Sequence, residues 1–314
     1  MSDCKFTALF YEYHNNIKLG YNNPIDPDFE RKENVWMNIF GLGKLETFQF
    51  IYSQCNSYKH FNEWIIALKG IDYVAQATVK FNLWEQKNLT IKDEIPQFLS
   101  AEQLLFWETN GYLNVSNLFP AEHCDAVKQL ICTYLNLDLS QPETWYQKHE
   151  NWHGLMLQLY QDKAINEIRN STNLYHLFAA LYNNSNIIAN IDKLSFNPPE
   201  TEKWSFAHDK LHWDIDFERL DEEYIQGLVY LDDVPENRGA FKAVTGFHTR
   251  FKSWMKPFDN LHDAHNEMRK QETGTLIPGK KGDVIVWRNT LPHAASKNKS
   301  TLPRFVQYVS FSKL

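Results

Sequence analysis

The sequence predicts an α+β fold, a mainly antiparallel sheet preceded by helices, with a further mostly helical extension at the N-terminus. Three observations carry that expectation. Apolar residues recur at helical intervals until about residue 182. After Asn186 they gather into short β-rich runs at 228–231, 241–244, 284–287 and 305–309, bounded by Pro, Gly or Asn. Helices first and strands later, without the alternation that a parallel sheet requires, point to antiparallel pairing.

Taken in order, a polar opening around Asn15, Asn16, Asn22, Asn23 and Pro24 gives way to helix. Over 48–68, Phe50, Ile51, Phe61, Trp64, Ile65 and Leu68 share helical spacing, and Ser57 is the N-cap of the second set. Pro96 breaks the pattern, and Ser100 starts a new helix with Gln103 in the capping-box position. The sequence is therefore divided into a helical extension at 1–97, a lid or an interface, and a main domain at 98–314. Within the main domain a helix through Leu104, Leu105 and Trp107 leads to a strand at 111–115. A helix from Cys124 to Leu135 and another ending near Leu181 follow.

Composition limits the function classes. With 43% hydrophobic residues, including 10 Trp, 15 Tyr and 21 Phe, the chain is not a disordered one. A net charge of −7 from 32 basic and 39 acidic residues argues against a sequence-independent grip on nucleic acid. Cys4, Cys55, Cys124 and Cys132 lack metal-ligand spacing and read as reduced thiols. The N-terminus shows no secretory pattern and no apolar run reaches about 18 residues, so a cytoplasmic protein without a membrane partner is expected.

Two H-x-D triplets occur. His123 and Asp125 begin a helical stretch, where residues two apart diverge, and they read as structural. His212 and Asp214 read as strand residues, which would project to one face and reach a common ion while Trp213 points away. His293, after the run 284–287, is the third candidate ligand. A symmetric hairpin centred between Asn298 and Lys299 would set Arg304 opposite His293, and alternation with Val306 and Tyr308 would turn Arg304 inward. Such a guanidinium needs a carboxylate. Two histidines and one carboxylate leave three positions of an octahedral ion open, which suits iron, a chelating 2-oxo acid and dioxygen. Arg304 would clamp the far carboxylate of 2-oxoglutarate. On the run 192–199, Lys193, Ser195 and Asn197 alternate with Leu194 and Phe196, so Ser195 and Asn197 are candidate co-substrate contacts.

In this light Leu211-His-Trp-Asp214, the stretch 227–248 ending in Thr-Gly-Phe-His, the stretch 278–293 and Arg304 resemble the phytanoyl-CoA dioxygenase family. The opening Leu99-Ser-Ala-Glu-Gln-Leu-Leu-Phe-Trp-Glu-Thr-Asn-Gly-Tyr-Leu also resembles that family's first helix and strand, and the resemblance runs from about 98 to the C-terminus. It implies a double-stranded β-helix, a distorted cupin-like jelly roll, with Fe(II) as cofactor and 2-oxoglutarate and O2 as co-substrates. It assigns His212, Asp214 and His293 to iron and Arg304 to 2-oxoglutarate, with no catalytic residue beyond the metal centre. Thr245 and Ala295 depart from the family pattern, and Ser296 is the hydroxyl that could take over the role lost at Ala295. A carboxylate at Asp214 favours hydroxylation, or a related C–H oxidation, over halogenation. The expected substrate is a small metabolite, free or carrier-tethered.

Blander assignments stand beside these. The triad could be a hydrogen-bonded core cluster, the metal site of a non-catalytic metal-binding barrel module, or a zinc site for hydrolysis. Asp216 reads as solvated, His248 as a structural turn residue, and His262 and His265 as exposed. His208 could border the substrate pocket, and Trp204, Trp213, Trp287 and Tyr308 are candidate walls.

Overall fold

The protein is described by a computed structural model covering residues 4–21, 27–87, 97–207 and 209–314. Pro96 and His208 lie outside the described residues. The elements begin with α1 (Lys5–Lys18), α2 (Pro27–Phe40), α3 (Lys44–Ser53), α4 (Tyr58–Lys69), α5 (Ile71–Glu85) and α6 (Ala101–Asn110). Next come β1 (Tyr112–Val115), α7 (Ala121–Leu135), β2 (Trp152–His153), β3 (Met156–Leu157), α8 (Lys163–Arg169) and α9 (Thr172–Tyr182). Then follow β4 (Ile187–Ala189), β5 (Leu194–Asn197), β6 (Ile225–Tyr230), β7 (Phe241–Ala243), α10 (Phe251–Met255) and α11 (Leu261–Gln271). The last four are β8 (Thr275–Ile277), β9 (Val284–Arg288), β10 (His293–Ala295) and β11 (Arg304–Lys313). The chain divides into two compact units, one of Met1–Glu94, Asn184–Ile191 and Ser312–Leu314, the other of Ile95–Asn183 and Asp192–Phe311.

The first unit is a helical bundle around an aromatic core. Phe10 and Trp36 meet with ring centroids 4.5 Å apart, and Phe50 stacks on Trp64 at 4.6 Å. Ser57 caps α4 by accepting the His60 backbone N–H, as its spacing predicts. The buried His14 is satisfied on both sides, with Glu33 at 3.0 Å and Tyr52 at 2.9 Å. Ile188 and Leu314, far along the chain, also pack against this core.

The second unit holds two antiparallel sheets. The larger has strand order β1-β9-β6-β11-β5-β3-β2 and the smaller β10-β7-β8. Leu228, Tyr230, Ile285 and Val306 of the larger sheet share one core with Phe241, Ala243, Ile277 and Ala294 of the smaller. This two-sheet packing is the distorted jelly roll, a double-stranded β-helix. On the opposite face of β11 the buried Gln307 donates to the Ile165 carbonyl of α8, so a helix covers the outer side. Ser100 and Gln103 close a full capping box on α6, and Gly111 ends that helix in the left-handed conformation, at φ +73°. A Cβ at Gly111 would lie 2.5 Å from the His248 ring, whose other nitrogen donates to the Glu108 carbonyl, so His248 is a structural residue.

Three local expectations are corrected. The opening is helical from Lys5, with Asn15 and Asn16 inside α1, while Asn22, Asn23 and Pro24 lie outside the described residues. His212 makes a single antiparallel bridge to His293, and Trp213 to Asp216 form no strand. Nor are β10 and β11 the arms of a hairpin: β10 pairs with β7 in the smaller sheet, whereas β11 pairs with β5 and sets Arg304 opposite Asn197. The intervening turn is fixed by the fully buried Asn298, whose amide donates to the carbonyls of Asn197 and Leu302. That long-range anchor turns the chain from one sheet into the other.

Candidate metal centre

His212 and His293 face each other across their bridge, joined by two backbone hydrogen bonds of 3.0 and 2.9 Å. Each ring has its Nδ1 at 3.0 Å from a carbonyl two residues earlier, Lys210 and Leu291 respectively. A carbonyl only accepts, so Nδ1 carries the proton and Nε2 presents a lone pair. Both lone pairs turn toward Asp214, with His212 Nε2 3.7 Å from Oδ1 and His293 Nε2 3.4 Å from Oδ2. One ligand atom from each of the three residues lies within 4.8 Å of the others. Burial penalises the Asp214 charge, but the neighbouring His293 in its protonated form and the Gln226 amide outweigh it and hold the carboxyl well below its usual range; a bound divalent ion would take the place of that proton. A preformed carboxylate beside two imidazole lone pairs is a donor set for a divalent ion.

The ligands are themselves held. Trp287 Nε1 donates to Gln226 Oε1 at 3.0 Å, which fixes the amide so that Gln226 Nε2 donates to Asp214 Oδ2 at 2.9 Å. His265, expected to be exposed, is half-buried: its Nε2 accepts the Trp213 backbone N–H at 2.9 Å and its ring stacks on the Trp213 indole. Asp216 stays at the surface, capping a short turn and pairing with Arg219. Sequence reasoning gave Gln226 and His265 no role at the centre, because their partners are 12 and 52 residues away in the chain.

Arg304 is 1% exposed. Its guanidinium donates to the Gly239 carbonyl at 2.5 Å and to Ser195 Oγ at 3.3 Å, while its Nε is buried without a hydrogen-bond partner among the described residues. Asn197 lies opposite on β5, and its Oδ1 and the nearby Ser296 Oγ are likewise buried and unpartnered. Asn197 Nδ2 donates to the Ser296 carbonyl at 3.3 Å, and Gly239, at φ +71°, leaves no room for a Cβ against that same amide. Tyr308, four residues along β11 from Arg304, reaches Ser195 and Arg304. Arg238 fixes the start of this strand by donating to the Pro303 carbonyl, a role its place in the sequence did not reveal. Donors and acceptors left without partners around a buried arginine fit an anionic, oxygen-rich guest such as a dicarboxylate.

Comparison with known proteins places this geometry in context. A sequence model of the phytanoyl-CoA dioxygenase family matches residues 107–306. A Dictyostelium discoideum protein named for phytanoyl-CoA dioxygenase is 24% identical over 265 residues, 65% of this chain and 73% of the relative. The solved structure of EvdMO1 superposes with a TM-score of 0.52 at 18% identity, covering 67% of this chain and 49% of that one, so the chain spans about half of its length. The epimerase SnoN, solved with Fe3+, alpha ketoglutarate and nogalamycin RO, superposes with a TM-score of 0.52 at 15% identity over 68% of this chain and 82% of SnoN. These likenesses in structure concern the fold.

Proposed function

Because the chain belongs to the phytanoyl-CoA dioxygenase family, whose metal is Fe(II) and whose co-substrate is 2-oxoglutarate, we propose that it hydroxylates an unactivated C–H bond of a small metabolite, free or carrier-tethered. The observation that carries this reading is the joint geometry: two oriented Nε2 atoms and a carboxylate in one cluster, and a buried Arg304 among unpaired polar atoms. His212, Asp214 and His293 would hold the iron, and Arg304 with Ser195, Asn197 and Ser296 would hold 2-oxoglutarate. When bound, the iron with O2 and 2-oxoglutarate supplies the oxidant, and succinate and CO2 leave. The protein's share is orientation and exclusion of water. Trp287 and Phe241 pack within 5.2 and 5.9 Å of the His293 ring, which gives that ligand an apolar wall.

A cleft of about 960 Å³ lies between the β2–β3 region and residues 201–207, with Tyr146, Trp152, Trp204, Lys148 and Lys203 among its walls. Trp152 is tied to β5 through the Phe196 carbonyl, and 201–207 is the segment that leads from β5 toward His212. Its size and aromatic faces would admit a small ring-bearing molecule, and neither the three ligands nor Arg304 is among its walls. Cytoplasmic chemistry accords with four free, buried cysteines, of which Cys124 has its thiol pushed up to about 12 by burial. Among the described residues no helix is long and apolar enough to cross a membrane.

The test is anaerobic reconstitution with Fe(II) and 2-oxoglutarate, followed by absorption spectroscopy. A weak visible charge-transfer band in wild type, absent from His212→Ala, is the expected result. Iron and 2-oxoglutarate bound with no such band, or zinc-dependent hydrolysis without O2 uptake, would overturn the reading in favour of a binding module or a zinc hydrolase.

A further inference from the structure

The H-x-D segment is irregular, so something other than a β-ladder must hold His212 and Asp214 in register. A single bridge restrains His212, and Asp214 has no backbone partner in a strand. Helix α11, inserted between β7 and β8, supplies two further restraints from one face, since residues four apart on a helix are neighbours. His265 Nε2 accepts the N–H of Trp213, the residue between the two ligands, at 2.9 Å. Arg269 Nε donates to the carbonyl of Leu211, the residue before the first ligand, at 2.7 Å. The Trp213 indole is fixed as well: it stacks on the His265 ring with centroids 5.2 Å apart, and its Nε1 donates to the Thr290 carbonyl at 3.0 Å. Ala264 and Met268 of the same helix are fully buried in the inter-sheet core, so α11 is a rigid support.

We infer that α11 is a splint for the metal centre, with His265 and Arg269 as positioning residues that hold the backbone of Leu211 to Asp214 in its ligand-converging conformation. In this role both act on the backbone of the ligand segment and not as ligands themselves. His265 acts as an acceptor: it must offer an Nε2 lone pair to a backbone N–H, which only its Nδ1–H tautomer does. The inference rests on the assignment of His212, Asp214 and His293 as metal ligands, and it explains how a segment outside the sheets carries two of them.

The experiment compares the full-length apo protein with His265→Gln, which keeps an acceptor at similar reach, and His265→Phe, which keeps a ring against Trp213 but accepts nothing. Co(II) is titrated anaerobically and read from its d–d absorption, and amide hydrogen exchange is followed in peptides spanning Trp213. In His265→Phe, Co(II) binding should weaken by about 10- to 100-fold, the range for lost supporting partners of metal ligands. The Trp213 amide should exchange at least ~10-fold faster, because its acceptor is gone. His265→Gln should restore both to near wild type. Equal loss in the two variants would overturn the acceptor role, as would an unchanged Trp213 exchange rate in His265→Phe. If His265→Phe does not fold, Arg269→Gln provides the second variant, expected to weaken Co(II) binding in the same direction; unchanged binding there would overturn the splint. Equal Co(II) binding by wild type and His212→Ala would sink the ligand assignment instead, and the exchange data would then decide the splint on their own.

Discussion

Arg304 brings a planar fork, and two of its donors are already spent on Gly239 and Ser195, so its geometry within the pocket is fixed before any ligand arrives. Arg304→Lys would keep the charge but lose the fork, and a lysine cannot offer parallel donors to a carboxylate. The expected result is a KM for 2-oxoglutarate raised by about 10- to 100-fold with a smaller change in kcat at saturation, read from steady-state succinate formation. An unchanged KM would remove Arg304 from the co-substrate site. Gln226 makes a second case. Gln226→Leu deletes the donor to Asp214 Oδ2 and strands the buried Trp287 Nε1–H, a loss of about 1–3 kcal/mol. Fe(II) affinity should fall about tenfold, measured by competition with a chelator. His212, Asp214 and His293 could be nominated from residue type and spacing, and their ligand atoms do converge. Gln226, Arg238 and His265 could not, because a glutamine, an arginine or a histidine announces nothing about a hydrogen-bond partner that folding brings from elsewhere.

At the level of elements, local signals were the legible ones. The caps Ser57 and Ser100 act within three residues, and the turn glycine Gly111 acts where it stands, so both helix starts and the first strand could be placed from sequence. The path from β10 to β11 could not. A symmetric hairpin was the simplest interpretation of residues 296–303, yet Asn298 binds Asn197 about a hundred residues away in the chain and sends β11 into the other sheet. The same anchor sets Asn197 beside Arg304 and thereby shapes the co-substrate pocket. Asn298→Ala removes a fully buried amide that also accepts from Ser300, and leaves the Leu302 and Asn197 carbonyls short of a donor. A destabilisation of about 2–4 kcal/mol is expected, from two or more buried partners at about 1–3 kcal/mol each, partly relieved by water. Denaturant unfolding checks it, and a loss below ~0.5 kcal/mol would mean that the crossing is held by other contacts.

For the whole molecule, a single cut near residue 97 separates the helical extension from the jelly roll in sequence, but the compact units are interleaved along the chain. Segments 184–191 and 312–314 belong to the helical unit although they lie far beyond that cut. Ile188 and Leu314 pack against the aromatic core built by Phe10, Trp36 and Phe61. Neither Ile188 nor Leu314 could be assigned there from sequence, because periodicity reports which face of an element is apolar and not which core receives it. A fragment of residues 98–314 would therefore keep both apolar residues while lacking the core that covers them. Exposed apolar surface of this kind favours association and lowers stability. The fragment should melt at a lower temperature than the full chain, bind an apolar dye more strongly, and sediment as larger species at the same concentration. A fragment that stays monomeric, with the full chain's thermal midpoint and Fe(II) affinity, would show that the helical unit is dispensable for folding of the jelly roll, and its role would then have to be sought in substrate or partner binding alone.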